Sequence, residues 1–173
     1  MQLTGQRMKR TSFAKMHCSL ARSLELIGDW WSPLIVRDLF LGVVRFDELT
    51  EDLGISRNLL TRRLTSLLKS GIVERNPYQG RPMRYEYRLT EAGRDLVPAL
   101  LALTAWGDRW ARPKEGIPIL FVHKVCGHRF KPHVVCSECG GVIDVDTMAA
   151  VPGPGGAAKA GTRIVAQRLR AAT

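Results

Sequence analysis

The chain has 173 residues, room for one domain with a good core and a small appendage, so one main fold plus something minor is the starting expectation. Hydrophobic residues make up 45% of it and charged ones 24%, the ordinary balance of a soluble globular protein, so disorder is not the default expectation. Lys and Arg number 26 against 16 Asp and Glu, a net charge of +10, which points to a polyanionic partner or, read conservatively, to a basic surface kept for solubility.

Leu20, Leu24 and Ile27 recur at helical spacing, and Gly28 closes that helix. Ser32 is placed to cap a second helix and Pro33 to occupy its first turn, where a missing N–H costs nothing; Leu34, Ile35, Leu39 and Phe40 continue it to Gly42. Both helices are expected to be core. Phe46, Leu49 and Leu53 give a short helix one apolar face, Gly54 permits a tight turn, and Ser56 caps the next helix. There Leu60, Leu64, Leu67 and Leu68 form a single stripe, while Asn58, Arg62, Thr65 and Lys69 fall opposite, with Arg57 and Thr61 at the edge. Any solvated surface helix shares that pattern, so the next segment decides its meaning. A strand from Ile72 to Asn76, a turn over Pro77 to Pro82, and a strand from Met83 to Leu89 predict a hairpin. Tyr85, Tyr87 and Leu89 line its apolar face, and Arg84 and Arg88 the other. Helix, turn, helix and basic hairpin form a winged helix-turn-helix. Eight of the basic residues lie between Arg57 and Arg88, opposed only by Glu74 and Glu86.

Thr90 caps a further helix whose apolar set is broad: Leu96, Val97, Leu100, Leu101, Leu103, Trp106 and Trp110. Pro98 is expected to kink it or delay its start. Such a surface predicts a partner helix, either from a second copy or from the chain's own N-terminal helix. Pro113, Gly116 and Pro118 mark a linker. The organisation is therefore an arm (1–17), a winged helix-turn-helix and dimerisation domain (18–112), a linker (113–118), a Cys/His segment (119–146) and a tail (147–173). The tail is rich in Gly, Ala and Pro, and is expected to be mobile with helix late in it. The fold class is mainly α with a small β-wing, carrying a zinc-ribbon-like appendage.

In helix-turn-helix proteins the first residues of the second helix lie nearest the bases of double-stranded DNA. Arg57, Asn58, Thr61 and Arg62 are thus the predicted base readers; Arg bonds guanine O6 and N7 and Asn bonds adenine N6 and N7. Thr65 and Lys69 suit phosphates, and Arg81 and Arg84 at the hairpin suit an adjacent minor groove or its backbone. A homodimer would place two such helices about 34 Å apart on an inverted repeat.

The blocks CSLARSLELIGDWWSPLIVRDL, RFDEL, ISRNLLTRRLTSLLKSGIVER and NPYQGRPMRYEYRLTEAGRDLVPALLALTAWGDRW resemble, in order, the HxlR-type helix-turn-helix regulators, relatives of the MarR group. The resemblance runs from about Cys18 to Trp110. It implies a dimeric bacterial repressor or activator, answering oxidants, electrophiles or small aromatic compounds. It also implies a sensing cysteine near the start of the first helix, a place held here by Cys18. Cys18 is followed by Ser19 where the family commonly has proline. His17, Lys15 and Arg22 supply the cationic neighbourhood that favours thiol reactivity; a buried, inert cysteine is the alternative.

His123-x-x-Cys126-Gly127 and Cys136-x-x-Cys139-Gly140 are matching halves with the spacing of zinc knuckles. Three thiolates and one imidazole would close a structural Zn2+ site, with His128 or His133 as alternatives to His123. A closed site leaves no position for substrate. The chain shows no GxSxG, HExxH, P-loop or GxGxxG motif, so it is not expected to be an enzyme. A protein-interaction adaptor of the transcription machinery, built as a winged helix plus zinc ribbon, is the competing function. The N-terminal apolar stretch is broken by Arg22 and Glu25, and no segment approaches the roughly 18 apolar residues of a membrane span. A cytoplasmic, membrane-free protein is expected, with its four cysteines as thiols or metal ligands.

Overall fold

A computed structural model describes residues 12–171. The chain divides into two compact units: Trp30–Ala149, and a second made of Met1–Asp29 with Ala150–Thr173, of which the described parts are treated below.

In the larger unit, α2 (Ser32–Phe40), α3 (Phe46–Leu53), α4 (Arg57–Lys69) and α5 (Glu91–Trp110) surround a two-stranded antiparallel wing, β1 (Val73–Gly80) and β2 (Met83–Leu89). The core is what the leucine spacing predicts. Leu60, Leu64 and Leu67 of α4 are buried with Ile35, Val36 and Leu39 of α2, Leu49 of α3, and Ile72, Val73, Tyr87 and Leu89 of the wing. Ser56 caps α4, its hydroxyl accepting the Leu59 N–H at 3.4 Å, and Gly54 takes the left-handed conformation (φ 59°) in the turn before it.

Three local expectations change. Ser32 lies buried inside α2, and Trp31 takes the cap position. β1 runs on through Pro77 to Gly80, so the turn shrinks to Arg81 and Pro82. Proline is tolerated in a two-stranded wing because a ladder bond can be dropped at an edge; the pairing Pro77 to Tyr85 is followed by a register shift that leaves Tyr78 as the extra residue. α5 begins at Glu91, seven residues before Pro98, so the proline does not delay its start.

The join between α4, β1 and α5 is tight. The Thr90 hydroxyl accepts the Gly93 N–H at 3.2 Å and donates to Gly71 O at 2.5 Å, while Thr90 N–H donates to Ile72 O at 3.1 Å. A Cβ on Gly93 would lie 2.2 Å from Ile72 O, so only glycine lets α5 approach this closely. The wing gains a third attachment where Tyr87 N–H donates to Val44 O at 2.8 Å and Arg45 bridges to Glu86.

The smaller unit holds α1 (Ser19–Ile27) and α6 (Arg163–Ala171). α6 is the helix expected late in the tail. α1 has no buried residues, against the expectation that it is core: Leu20, Leu24 and Leu26 are exposed. Its periodicity specified an apolar face and not what covers it. The tail meets the arm at His17, whose N–H donates to Ala160 O at 2.8 Å and whose Nε2 lies 2.5 Å from Gly155 O.

Candidate nucleic-acid interface

Burying the leucine stripe turns the opposite face of α4 outward. Arg57, Asn58, Thr61, Arg62, Thr65 and Lys69 are all exposed, as are Arg81 and Arg84 at the wing. The predicted set therefore shares one exposed helix face and one wing, but its members are not equivalent. The Thr61 hydroxyl donates to Arg57 O and the Thr65 hydroxyl to Thr61 O, each at 2.8 Å, so both are folded back on their own helix. Arg57 is held across the helix-turn-helix elbow: its Nη1 lies 2.5 Å from Asp47 Oδ1 and its guanidinium sits 4.8 Å from the centre of the Phe46 ring. Asn58, Arg62 and Lys69 carry no side-chain hydrogen bond or ion pair among the described residues. Asn58 and Arg62, one helical turn apart in the first half of α4, are the free donors.

Two residues that the sequence reading omitted, Arg45 and Arg75, belong to the wing's charge pattern together with Arg88, which the strand alternation had placed on its cationic face. Arg45 stacks 4.9 Å from the Tyr78 ring, Arg75 stacks 4.6 Å from the Tyr85 ring, and Arg88 pairs with Glu86 at 2.9 Å. Arg75 could have been found from the alternation of the strands. Arg45 could not, because it reaches the wing only through the fold.

Behind this surface, the buried Asp38 carboxylate takes Arg37 Nε at 2.7 Å, and the same guanidinium reaches Asp52 at 3.4 Å. Burial pushes the Asp38 carboxyl above its ordinary value although Arg37 pulls it down. Asp38 Oδ2 has no hydrogen-bond partner among the described residues.

Cys18 is the residue before α1 and is half-buried. It lines a cavity of about 340 Å³ with His17, Arg22, Pro152, Leu169 and Arg170. A second, apolar cavity of about 250 Å³ lies between α2 and α5, lined by Leu34, Phe40, Leu100, Leu101, Ile119 and Phe121.

The predicted metal residues form two separate pairs. His123 Nδ1 lies 3.3 Å from Cys126 Sγ. Hydrogen bonds from the backbone N–H groups of Cys139 and Glu138, and from the Cys139 side chain, hold the Cys136 thiol below its ordinary value. Among the described residues, no three His, Cys, Asp or Glu side chains are grouped so as to hold one ion. Nor, among those residues, is any helix long and apolar enough to cross a membrane.

Comparison with known proteins fits this geometry. The profile of the HxlR-like helix-turn-helix matches residues 26–115. An uncharacterized HTH-type transcriptional regulator of Mycobacterium tuberculosis is 45% identical over 141 residues, which cover 82% of this chain and 89% of that protein. PA1607, a structure described as a proposed transcription factor, superposes with a TM-score of 0.72 at 33% identity, covering 83% of this chain and all of that one. The redox regulator HypR in its reduced form gives a TM-score of 0.51 at 33% identity, over 53% of this chain and 92% of its own.

Proposed function

We propose, from the premise that this chain belongs to the HxlR-like helix-turn-helix family of transcriptional regulators, that it is a homodimeric repressor reading an inverted-repeat operator. Its relatives and structural neighbours are transcription factors and not enzymes. The observation that carries the reading is the division of labour on α4: its stripe is buried, its threonines are self-bonded, and Asn58 and Arg62 stand free and exposed. Asn58 and Arg62 read base edges in the major groove. Arg57 and Lys69 hold phosphates, and Arg81 and Arg84 at the wing meet the neighbouring minor groove or backbone.

Dimerisation is supported by two exposed apolar surfaces. Leu103, Trp106 and Trp110 of α5 are more than half exposed, and Leu20, Leu24 and Leu26 of α1 are open. A lone soluble chain does not leave this much aromatic and aliphatic surface in water. Repression follows if the bound dimer excludes polymerase from a promoter, and release follows from oxidation or alkylation of Cys18. Support for Cys18 as the sensor is its place beside an open cavity with Arg22 and Arg170, together with the likeness to HypR. The mostly apolar lining of the cavity between α2 and α5 makes it the place for a small aromatic effector.

Selection of genomic fragments by the purified protein, followed by salt titration of the best site, tests the reader. Recovery of an inverted repeat with half-sites about 10 base pairs apart is expected. Arg62→Ala should lose discrimination at one position in each half-site, by about 1–3 kcal/mol. Absence of any enriched sequence, with capture of a polymerase subunit instead, would replace the reader by the adaptor. Cys18→Ser should abolish release of DNA by diamide or a quinone; unchanged release removes Cys18 as the sensor.

A further inference from the structure

The segment after α5 repeats itself. In the first half Val122 bridges Arg129, His123 N–H donates to His128 O, Gly127 N–H donates to His123 O, and Phe130 N–H donates to Phe121 O. In the second half Val135 bridges Val142, Cys136 N–H donates to Gly141 O, Gly140 N–H donates to Cys136 O, and Ile143 N–H donates to Val134 O. A shift of thirteen residues carries every one of these bonds onto its counterpart. Gly127 and Gly140 occupy the same left-handed conformation, φ 71° and 70°. The chain therefore builds one hairpin twice, and the shift also carries His123 onto Cys136 and Cys126 onto Cys139.

Two like hairpins, each with a pair of ligating side chains at its turn, supply between them the four donors a tetrahedral site needs, although the two pairs are not grouped in this structure. We propose that His123, Cys126, Cys136 and Cys139 together bind one Zn2+, which draws the two hairpins onto each other. The first pair already has the required spacing. Nitrogen and sulfur bound to one tetrahedral zinc at about 2.05 and 2.3 Å stand about 3.6 Å apart, and His123 Nδ1 lies 3.3 Å from Cys126 Sγ. The repeat also selects the imidazole. His123 occupies the position of a cysteine ligand in the second hairpin, whereas His128 corresponds to Gly141 and His133 lies between the hairpins. The site is filled by protein alone, so its role is to fix structure.

What it would fix is next to the winged helix. The His123 ring lies 6.3 Å from Phe130, Phe130 lies 6.4 Å from Phe121, and Phe121 lies 6.4 Å from Phe40 at the end of α2. Phe121 and Phe40 both line the apolar cavity between α2 and α5. Ordering His123 by a metal would thus order the cover of that cavity.

The test is elemental analysis of the full chain purified without chelator, with cobalt substitution read by absorption. About one zinc per chain is expected, and the cobalt form should show the intense visible bands of a tetrahedral ion with thiolate charge transfer. Cys126→Ser, on the first hairpin, and Cys139→Ser, on the second, should each weaken the same charge-transfer band. His123→Ala should shift the visible bands, and His128→Ala and His133→Ala should leave them in place. Zinc far below one per chain together with no tetrahedral cobalt spectrum overturns the proposal. So does a cobalt spectrum that responds to the cysteines of only one hairpin. A shift on His128→Ala or His133→Ala in place of His123→Ala overturns the ligand set. Because the cobalt spectrum is read on the unaltered chain, a variant that fails to fold does not protect the idea.

Discussion

Asp47→Asn should make the protein bind DNA more tightly and with a steeper salt dependence, at little cost in stability. Asp47 is the acid set against the predicted reading surface, and it holds Arg57 across the elbow between α3 and α4. Both side chains are open to solvent, 67% for Arg57 and 68% for Asp47, so the pair itself contributes well under 1 kcal/mol. Asp47 also lies in the first turn of α3, where a negative charge favours the helix by about 0.3–1 kcal/mol. The total loss of stability should therefore stay near 1 kcal/mol. On DNA the effect is larger in kind. The substitution removes one repelling charge and frees one guanidinium, and each phosphate neutralised adds about −0.9 to the slope of log K against log salt. Two half-sites give a slope steeper by about two. The assay is fluorescence anisotropy on the selected operator and on unrelated DNA, from low to physiological salt. Affinity should rise on both sequences, because a phosphate contact carries no base information. An unchanged slope would mean that Arg57 stays on Asp47 and Phe46 when DNA is bound, and the elbow would then be a brace and not a clamp.

Other substitutions test the frame beneath that surface. Gly93→Ala should lower the melting temperature in spite of alanine's better helix propensity, because a Cβ 2.2 Å from Ile72 O forces α5 away from the Ile72 backbone at a cost of about 2 kcal/mol or more. Leu60→Ala, at a fully buried position of α4, should cost about 2–5 kcal/mol by thermal or urea unfolding. Asp38 gives a pH signature. Its folded-state carboxyl is raised above the ordinary 3.8 by burial, so the stability it contributes is full below that value and is lost as pH rises through the folded value. Asp38→Asn does not titrate, so the stability of the natural chain relative to this variant should improve as pH falls from 7 to about 3.5; a pH-independent difference would refute the shift.

Much of the fold was legible because it depends on period alone. Four leucines at helical spacing specified which side of α4 is buried, and alternation in Met83–Leu89 specified the wing. The exposed candidates followed by subtraction, which is why all eight are exposed in the structure. What the sequence hid were relations between elements. Nothing local says that Asp47 and Phe46 hold Arg57, or that Arg45 joins the wing through Glu86. The start of α2 was misplaced by one residue because Ser32 is a good cap in isolation, but in the fold its side chain is buried. The exposed face of α1 was misread for a different reason: an amphipathic pattern requires something to cover it and does not say whether that comes from the same chain.

The seam between α4 and α5 shows how a change far from the DNA could reach it. Gly71 and Ile72, directly after α4, hand both of their carbonyls to Thr90 at the start of α5, and Gly93 lies against one of them. The two residues that follow the end of α4 and the first turn of α5 are thereby one joint, secured by hydrogen bonds at 2.5 and 3.1 Å and by a contact too close for any side chain. A turn of α5 about its first residues has to break these bonds or carry Gly71 and Ile72 with it. The far end of α5 carries Trp106 and Trp110, both exposed, and in the dimer proposed above they meet the second copy. The spacing of two reading helices would then be set by how two copies of α5 pack, and occupancy of the cavity between α2 and α5 would act on the same lever.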